Sequence, residues 1–217
     1  MGIQDNVNKI LKEIPSNVTL VAAIKYANIE QIKELIDAGV TELGVNRLEQ
    51  LEQVKQELPD IYLSKVKFHF IGHLQRNKVK KVMELGVGLI QSVDSYKLAD
   101  KINKICIELG KSQDVLIQVK TDDDKEAGIS PNDLDEFVRQ IKELEMINVV
   151  GLMTIPPFSE NPEDSRQYFS IVAGLLEVVG SWMQYPLEIL SMGMSDDYKI
   201  AIEEGANMVR VGRVLYE

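Results

Sequence analysis

Val18-Thr19-Leu20-Val21-Ala22-Ala23-Ile24-Lys25 is a short run of apolar and β-branched residues that ends on a charge, and beyond it Ile29, Ile32, Leu35 and Ile36 recur at helical spacing. The first pattern reads as a buried strand and the second as a helix with one apolar face. The same couplet repeats along the chain. Strands are expected at Val18–Lys25, Glu42–Val45, Lys67–Ile71, Leu89–Val93, Val115–Lys120, Val149–Thr154, Leu187–Ser191 and Met208–Val211, eight in all. Leu98, Ile102, Ile105 and Leu109 mark one intervening helix, and Leu134, Phe137, Val138, Ile141 and Leu144 mark another. Ser130 before Pro131 and Asn161 before Pro162 supply N-caps with proline at the first helical position. Gly39, Gly86, Gly110 and Gly205 stand where helices should stop.

Strand–helix alternation implies parallel pairing through helical crossovers. Eight such units in 217 residues, with no linker or low-complexity segment, predict one α/β domain over residues 1–217. Its expected form is a single (β/α)8 TIM-type barrel, capped by an extra N-terminal helix at residues 3–13. An open doubly wound sheet is the alternative, but no Gly-x-Gly-x-x-Gly turn follows the first strand.

Bulk properties narrow the function. A net charge of −10 argues against nucleic acid as the main partner, since phosphate backbones are bound by concentrated Lys and Arg. The local basic run of Arg76, Lys78, Lys80 and Lys81 reads as a solvated helix face. Cys106 is the one cysteine, which rules out a disulfide framework and disfavours a thiolate metal site; its apolar setting reads as a buried, inert thiol. The first residues carry no apolar signal core, Asn6 breaks the myristoylation pattern, and no apolar run reaches membrane-spanning length. A soluble, cytoplasmic protein is expected.

Barrel proteins place their chemistry at the C-terminal ends of the strands. Those ends here carry Lys25, Asn46, Gly72-His73, Asp94-Ser95, Thr121, Thr154, Ser191-Met192 and Arg210-Gly212. Lys25 closes an apolar strand, where a desolvated amine could lose its proton and attack a carbonyl carbon; spacing alone leaves open a strand-end lysine snorkelling to solvent. Ser191-Met192-Gly193-Met194-Ser195-Asp196 reads as a tight turn opening a helix, with N–H groups free to hold a phosphate, and Gly212-Arg213-Val214 follows the last strand likewise. Asp196 and Asp197 would repel phosphate unless they point away. Arg210 lies inside the strand Met208–Val211, either inward-facing or in a barrel-wall ion pair.

Other candidates are weaker. His69 reads as a hydrogen-bonded core histidine, whereas His73, at a strand end, is better placed for a site. The two histidines flank a strand end rather than share a helix face, so no metal site is expected. Asp122, Asp123 and Asp124 read as a solvated loop. Met192 and Met194 could pack on a ligand ring, with core filling as the default.

Together Val21–Lys25, Gly44–Arg47, Phe68-His69-Phe70-Ile71-Gly72-His73-Leu74-Gln75-Arg76-Asn77-Lys78, Gly151–Thr154, Leu190–Ser195 and Val209–Gly212 resemble the YggS-type pyridoxal phosphate homeostasis protein family, in order, from about residue 5 onward. The resemblance implies a barrel of the alanine-racemase type, a fold type III protein with pyridoxal 5'-phosphate held as a Schiff base on Lys25. It also implies Arg210 facing the pyridine nitrogen, Asn46 near the ring, and Ser195, Gly212 and Arg213 at the phosphate. The cofactor-binding set is then Lys25, Asn46, His73, Ser191, Met194, Ser195, Arg210, Gly212 and Arg213, with Lys25 as the catalytic residue. Val45 stands where the family usually has glutamate, which puts in doubt any role of that glutamate in positioning Asn46 or relaying protons.

An arginine opposite the pyridine nitrogen cannot readily give up a proton, so the ring is a poor electron sink. The expectation is a carrier that stores, delivers or buffers the cofactor with little or no turnover, acting as a monomer, with pyridoxal phosphate-dependent apo-enzymes as candidate recipients. One rival is an amino-acid racemase, which needs a second acid or base such as His73 or Tyr26. Another is a cofactor-free Schiff-base aldolase, with no special use for Arg210. A scaffold protein indifferent to Lys25 is the third.

Overall fold

The computed structural model describes residues 2–122 and 127–217. Eight strands, β1 (Thr19–Ala23), β2 (Glu42–Val45), β3 (Lys67–Phe70), β4 (Val87–Val93), β5 (Gln113–Val119), β6 (Ile147–Thr154), β7 (Ile189–Ser191) and β8 (Met208–Val211), pair in parallel, each with the next. β8 returns to β1 with Val21 opposite Arg210, so the barrel is closed.

The helices are α1 (Ile3–Glu13), α2 (Ile29–Asp37), α3 (Leu48–Glu57), α4 (Asp60–Leu63), α5 (Val79–Glu84), α6 (Tyr96–Leu109), α7 (Leu134–Ile141), α8 (Arg166–Met183), α9 (Tyr198–Glu203) and α10 (Arg213–Tyr216). Their ends follow local chemistry. Asn28 caps α2 by accepting the Gln31 N–H while the Gln31 side chain accepts the Asn28 N–H. Ser130 and Asn161 cap the short 3-10 turns that begin at Pro131 and Pro162. Gly39, Gly86, Gly110 and Gly205 all take positive φ just beyond a helix.

Alternation along the strands makes two apolar compartments. Val21, Leu89, Leu116, Met153 and Met208 fill the barrel interior. Their sequence neighbours, such as Leu20, Ala22, Ile90, Leu152 and Val209, face outward and pack beneath the helices with Leu35, Ile102 and Phe169. On β8, therefore, Arg210 shares the inward face with Met208.

Several expectations shift. β1 ends at Ala23 rather than Lys25. Ile24 N–H still donates to Gly44 O at 3.0 Å, but Lys25 and Tyr26 form a turn closed by Ala27 N–H on Ile24 O, also at 3.0 Å. α1 packs against α2 and α10, at the seam where β1 meets β8, instead of covering an end of the barrel. Asn6 Nδ2 donates to Leu215 O at 3.4 Å and Tyr198 Oη donates to Glu13 at 2.7 Å, tying it there. Asp122 is buried rather than solvated, and Asp123 and Asp124 lie outside the described residues.

Candidate functional site

The C-terminal ends of the strands open on a cavity of ≈ 550 Å³. Lys25, Asn46, Met194, Ser195 and Arg210 border it, with Gly212, Arg213 and Tyr216 closing the side toward α10. Ile71 and Ile155 give it an apolar wall.

Lys25 stands at the rim, exposed to solvent, which is the solvent-facing of the two readings that spacing left open. The early end of β1 is the reason: Lys25 belongs to the turn rather than to the strand. That turn is firmly mounted. Gln50 Nε2 donates to Ile24 O from one side, and Tyr216 Oη donates to Ala23 O at 3.3 Å from the other. Lys25 Nζ lies 4.8 Å from the centroid of Tyr26, a ring that is 84% exposed. Hydrogen bonding to the ammonium draws the Tyr26 phenol below its usual pKa.

Arg210 is the opposite case. It is buried and inward-facing, which decides between the two readings left open by the sequence. Its Nη1 donates to Ser191 Oγ and its Nη2 to Thr154 O, both at 2.7 Å. Among the described residues no carboxylate lies within ion-pair distance of it. Burial pushes the guanidinium down to about 10, with Asp197 acting more weakly in the other direction, so it stays charged at neutral pH.

Glycine permits the close approaches that shape the rim. A Cβ on Gly72 would sit 2.3 Å from Asn46 O, so the chain leaving β3 can pass against Asn46 only without a side chain. Gly193, at φ +90°, would likewise meet Ala201 and Tyr198. Beyond it the turn is held by Asp197, whose buried carboxylate accepts the Met194 N–H at 2.6 Å. Ser195 Oγ accepts the Gly212 N–H at 3.4 Å, joining the turns after β7 and β8. Asp196 is paired with Arg213, which in turn lies 3.6 Å from Glu217. The two aspartates are thus engaged, one by the turn and one by a neighbouring cation, and Arg213 is correspondingly less free as an anion ligand.

Two expected site residues stand off the cavity border. Ser191 lies behind it, bound to Arg210. His73 is 65% exposed and turned to Asp94, with Nδ1 3.1 Å from the carboxylate. His69 is a buried, hydrogen-bonded histidine, as its apolar strand suggested. Burial raises the pKa of the Cys106 thiol, in keeping with an inert role. Of the basic run, Lys78, Lys80 and Lys81 are paired with carboxylates, Lys80 with Glu108 at 2.9 Å for example, and Arg76 is exposed. Tyr216 and Gln50 carried no signal in the sequence, since each acts on the Lys25 turn from a distant segment. No helix among the described residues is long and apolar enough to cross a membrane.

Fold and cavity together define a class: a closed parallel α/β barrel whose mouth sets an accessible lysine amine across from a buried guanidinium. The chain belongs to the alanine racemase N-terminal domain family, whose model matches residues 2–217, and within it to the pyridoxal phosphate homeostasis proteins. The protein of that name from Aquifex aeolicus is 41% identical over 91% of this chain and 85% of its own length. The mouse protein of that name is 33% identical over 99% of the chain and 82% of its length. The structure of PipY from Synechococcus elongatus with PLP bound superposes with a TM-score of 0.92, at 32% identity, over 99% of this chain and all of that one. An alanine racemase from Clostridium difficile, 19% identical, shares the fold at a TM-score of 0.75, the chain covering 55% of it.

Proposed function

We propose that this chain carries pyridoxal 5'-phosphate covalently on Lys25 and serves the intracellular homeostasis of that cofactor, storing, delivering or buffering it with little or no turnover of amino acids. The observation that carries the reading is the pair at the cavity: an accessible amine on a fixed turn, and a buried guanidinium with no carboxylate partner among the described residues. It agrees with the names of the relatives.

The donor set fits the group. When bound, the cofactor supplies an aldehyde that condenses with an amine, its carbonyl oxygen leaving as water, and a heterocycle whose nitrogen accepts a hydrogen bond. Lys25 Nζ provides the amine. Arg210 provides an N–H donor that cannot readily surrender its proton. Asn46, Ile71, Ile155 and Met194 would flank the ring. Ser195 and Gly212, with Arg213 beside them, would take the phosphate. The cavity volume lies within the usual range for small-molecule sites.

Low turnover follows from the same residues. Arg210, a donor that does not readily give up its proton, would leave the nitrogen of a bound ring unprotonated, which would disfavour carbanion chemistry. A racemase also needs a second acid or base over the ring. Of the two candidates, His73 is turned to Asp94 outside the cavity border, and Tyr26, although it borders the cavity, stands beside Lys25 with Nζ 4.8 Å from its ring centroid, so it does not supply a group across the ring from the amine. In this reading residues 1–217 act as one monomeric cytoplasmic unit, and pyridoxal phosphate-dependent apo-enzymes are the recipients.

The test is visible absorbance of the protein incubated with pyridoxal phosphate, then borohydride reduction and peptide mapping. A yellow band that bleaches, with a pyridoxyl group on the Lys25 peptide and none in Lys25→Ala, is the expected result. A colourless protein with Lys25 unmodified overturns the reading, and brisk racemisation lost in Lys25→Ala overturns its low-turnover part.

A further inference from the structure

Five polar side chains from five strands meet inside the barrel: Glu42 on β2, His69 on β3, Gln91 on β4, Ser191 on β7 and Arg210 on β8. His69 Nε2 lies 2.6 Å from Glu42 Oε2. Gln91 Nε2 lies 2.8 Å from His69 Nδ1 and 3.2 Å from Met208 Sδ. Ser191 Oγ lies 2.7 Å from Gln91 Oε1 and receives Arg210 Nη1 at the same distance. His69, Gln91, Ser191 and Arg210 are all buried.

The direction of the bonds from Arg210 to His69 follows from the arginine and from the Gln91 amide. Arginine only donates, so Ser191 Oγ accepts from it, and the serine proton goes to Gln91 Oε1 once the amide is oriented by its other contact. The other amide group of Gln91 faces Met208 Sδ, which cannot donate; that group is therefore the NH2, and it donates to His69 Nδ1. With Nδ1 accepting, the proton of the imidazole sits on Nε2, the nitrogen that faces Glu42. His69 Nε2 and Glu42 Oε2 lie 2.6 Å apart but out of line for a hydrogen bond, and neither has a hydrogen-bond partner among the described residues, so the line closes on a charge–dipole contact. Each dipole turns its acceptor end toward Arg210, and the line ends on a carboxylate. Glu42 opens β2, at the far end of the barrel from the cavity, with 22% of its side chain exposed.

We propose that Glu42, His69 and Gln91 are positioning residues for Arg210, fixing the polarity of this line and setting the counter-charge of the guanidinium at the opposite end of the barrel from the cavity. A buried cation needs compensation. A carboxylate placed beside Arg210 would supply it, but would also repel an anionic ligand and claim the N–H groups that face the cavity. Oriented neutral dipoles compensate the charge without doing either. The polarity of the line stands on its own; its bearing on pyridoxal phosphate rests on the function proposed above.

The chain has only two histidines, so nitrogen NMR of the ligand-free, ¹⁵N-labelled protein resolves the question, with His73→Asn to assign the signals. His69 is expected as the Nε2–H tautomer. In Gln91→Glu the amide donor facing Nδ1 is replaced by a carboxyl; in Gln91→Met the Nδ1 partner is lost, the tautomers mix and affinity for pyridoxal phosphate falls. Gln91→Glu should also bind pyridoxal phosphate about tenfold more weakly, on the scale of one buried hydrogen bond, while borohydride still labels Lys25. An Nδ1–H tautomer in the unmodified protein overturns the proposal, and needs no variant to fold. So does a Gln91→Met protein whose tautomer and affinity are unchanged. Failure of Lys25 labelling in the unmodified protein overturns the proposed function instead, and leaves the NMR result to decide the line.

Discussion

Replacing Gly72 by alanine tests how tightly the cavity rim is built. The added Cβ would lie 2.3 Å from Asn46 O, 2.8 Å from Asn46 Cα and 2.9 Å from Asn46 C. All three are backbone atoms, so no rotamer change relieves the clash and the two chains must part. The Gly72 carbonyl is held at the same time by Ser92 Oγ, at 2.6 Å, which resists the movement. Overpacking of this kind costs about 3 kcal/mol, and for a chain of this size that lowers Tm by about 6–12 °C. Because Asn46 borders the cavity, the loss of stability should come with weaker binding of pyridoxal phosphate. Gly174→Ala is the control: it lies exposed within α8 with nothing within 4 Å of the new methyl group, and should stabilise by about 0.5–1 kcal/mol. Thermal unfolding followed by circular dichroism, with a visible titration of the cofactor, reads both effects. A Gly72→Ala protein that melts with the unmodified one and binds equally well would show that the rim yields easily, and the reasoning would fail.

Other perturbations probe features away from the rim. Tyr198→Phe removes the 2.7 Å hydrogen bond to Glu13, the largest cause holding that carboxyl below its usual pKa. A depressed carboxyl pKa adds stability that is present above about pH 4.5 and is lost as pH falls through the folded-state value. The variant should therefore lose stability at neutral pH and show a shallower fall of Tm on acidification. Arg166 is paired with Glu163, Glu203 and Glu204, joining the start of α8 to α9. Arg166→Met should lower Tm at low ionic strength, with the difference narrowing as salt is added; an equal loss at high salt would point to packing instead.

Much of the barrel is legible in the sequence because both of its periodicities are local. β2 and β8 fall where the apolar runs Glu42–Val45 and Met208–Val211 place them, and glycines end four helices as read. The errors sit where a strand ends against its neighbours. Ile24 keeps a ladder bond to Gly44 although β1 has stopped, so an apolar run that looks like strand through Lys25 is two residues too long. Ser195, Asn46 and Arg210 do meet at one cavity, since strand ends converge in any closed barrel. The partners of Arg210 and His69 were beyond reach. Gln91 and Ser191 are 100 residues apart in the chain; Gln91 lies in an ordinary strand pattern, and Ser191, though read as a site residue, gave no sign of its bond to Gln91. The engagement of Asp196 by Arg213 was hidden in the same way, because a single sequence shows charges but not which of them face each other.

The seam has a consequence for biosynthesis. α1 leaves the ribosome before the rest of the barrel, yet its ties are to Tyr198 and Leu215, 185 and 209 residues later. Strand β1 likewise waits for β8. The buried face of α1, with Ile3, Val7 and Ile10, therefore has α2 beside it but lacks its α10 partner while nearly all the rest of the barrel is made. At about 5–20 residues per second, that is an interval of roughly ten to forty seconds. Closure must wait until β8 has been made, and the nascent open sheet is the form most in need of a chaperone.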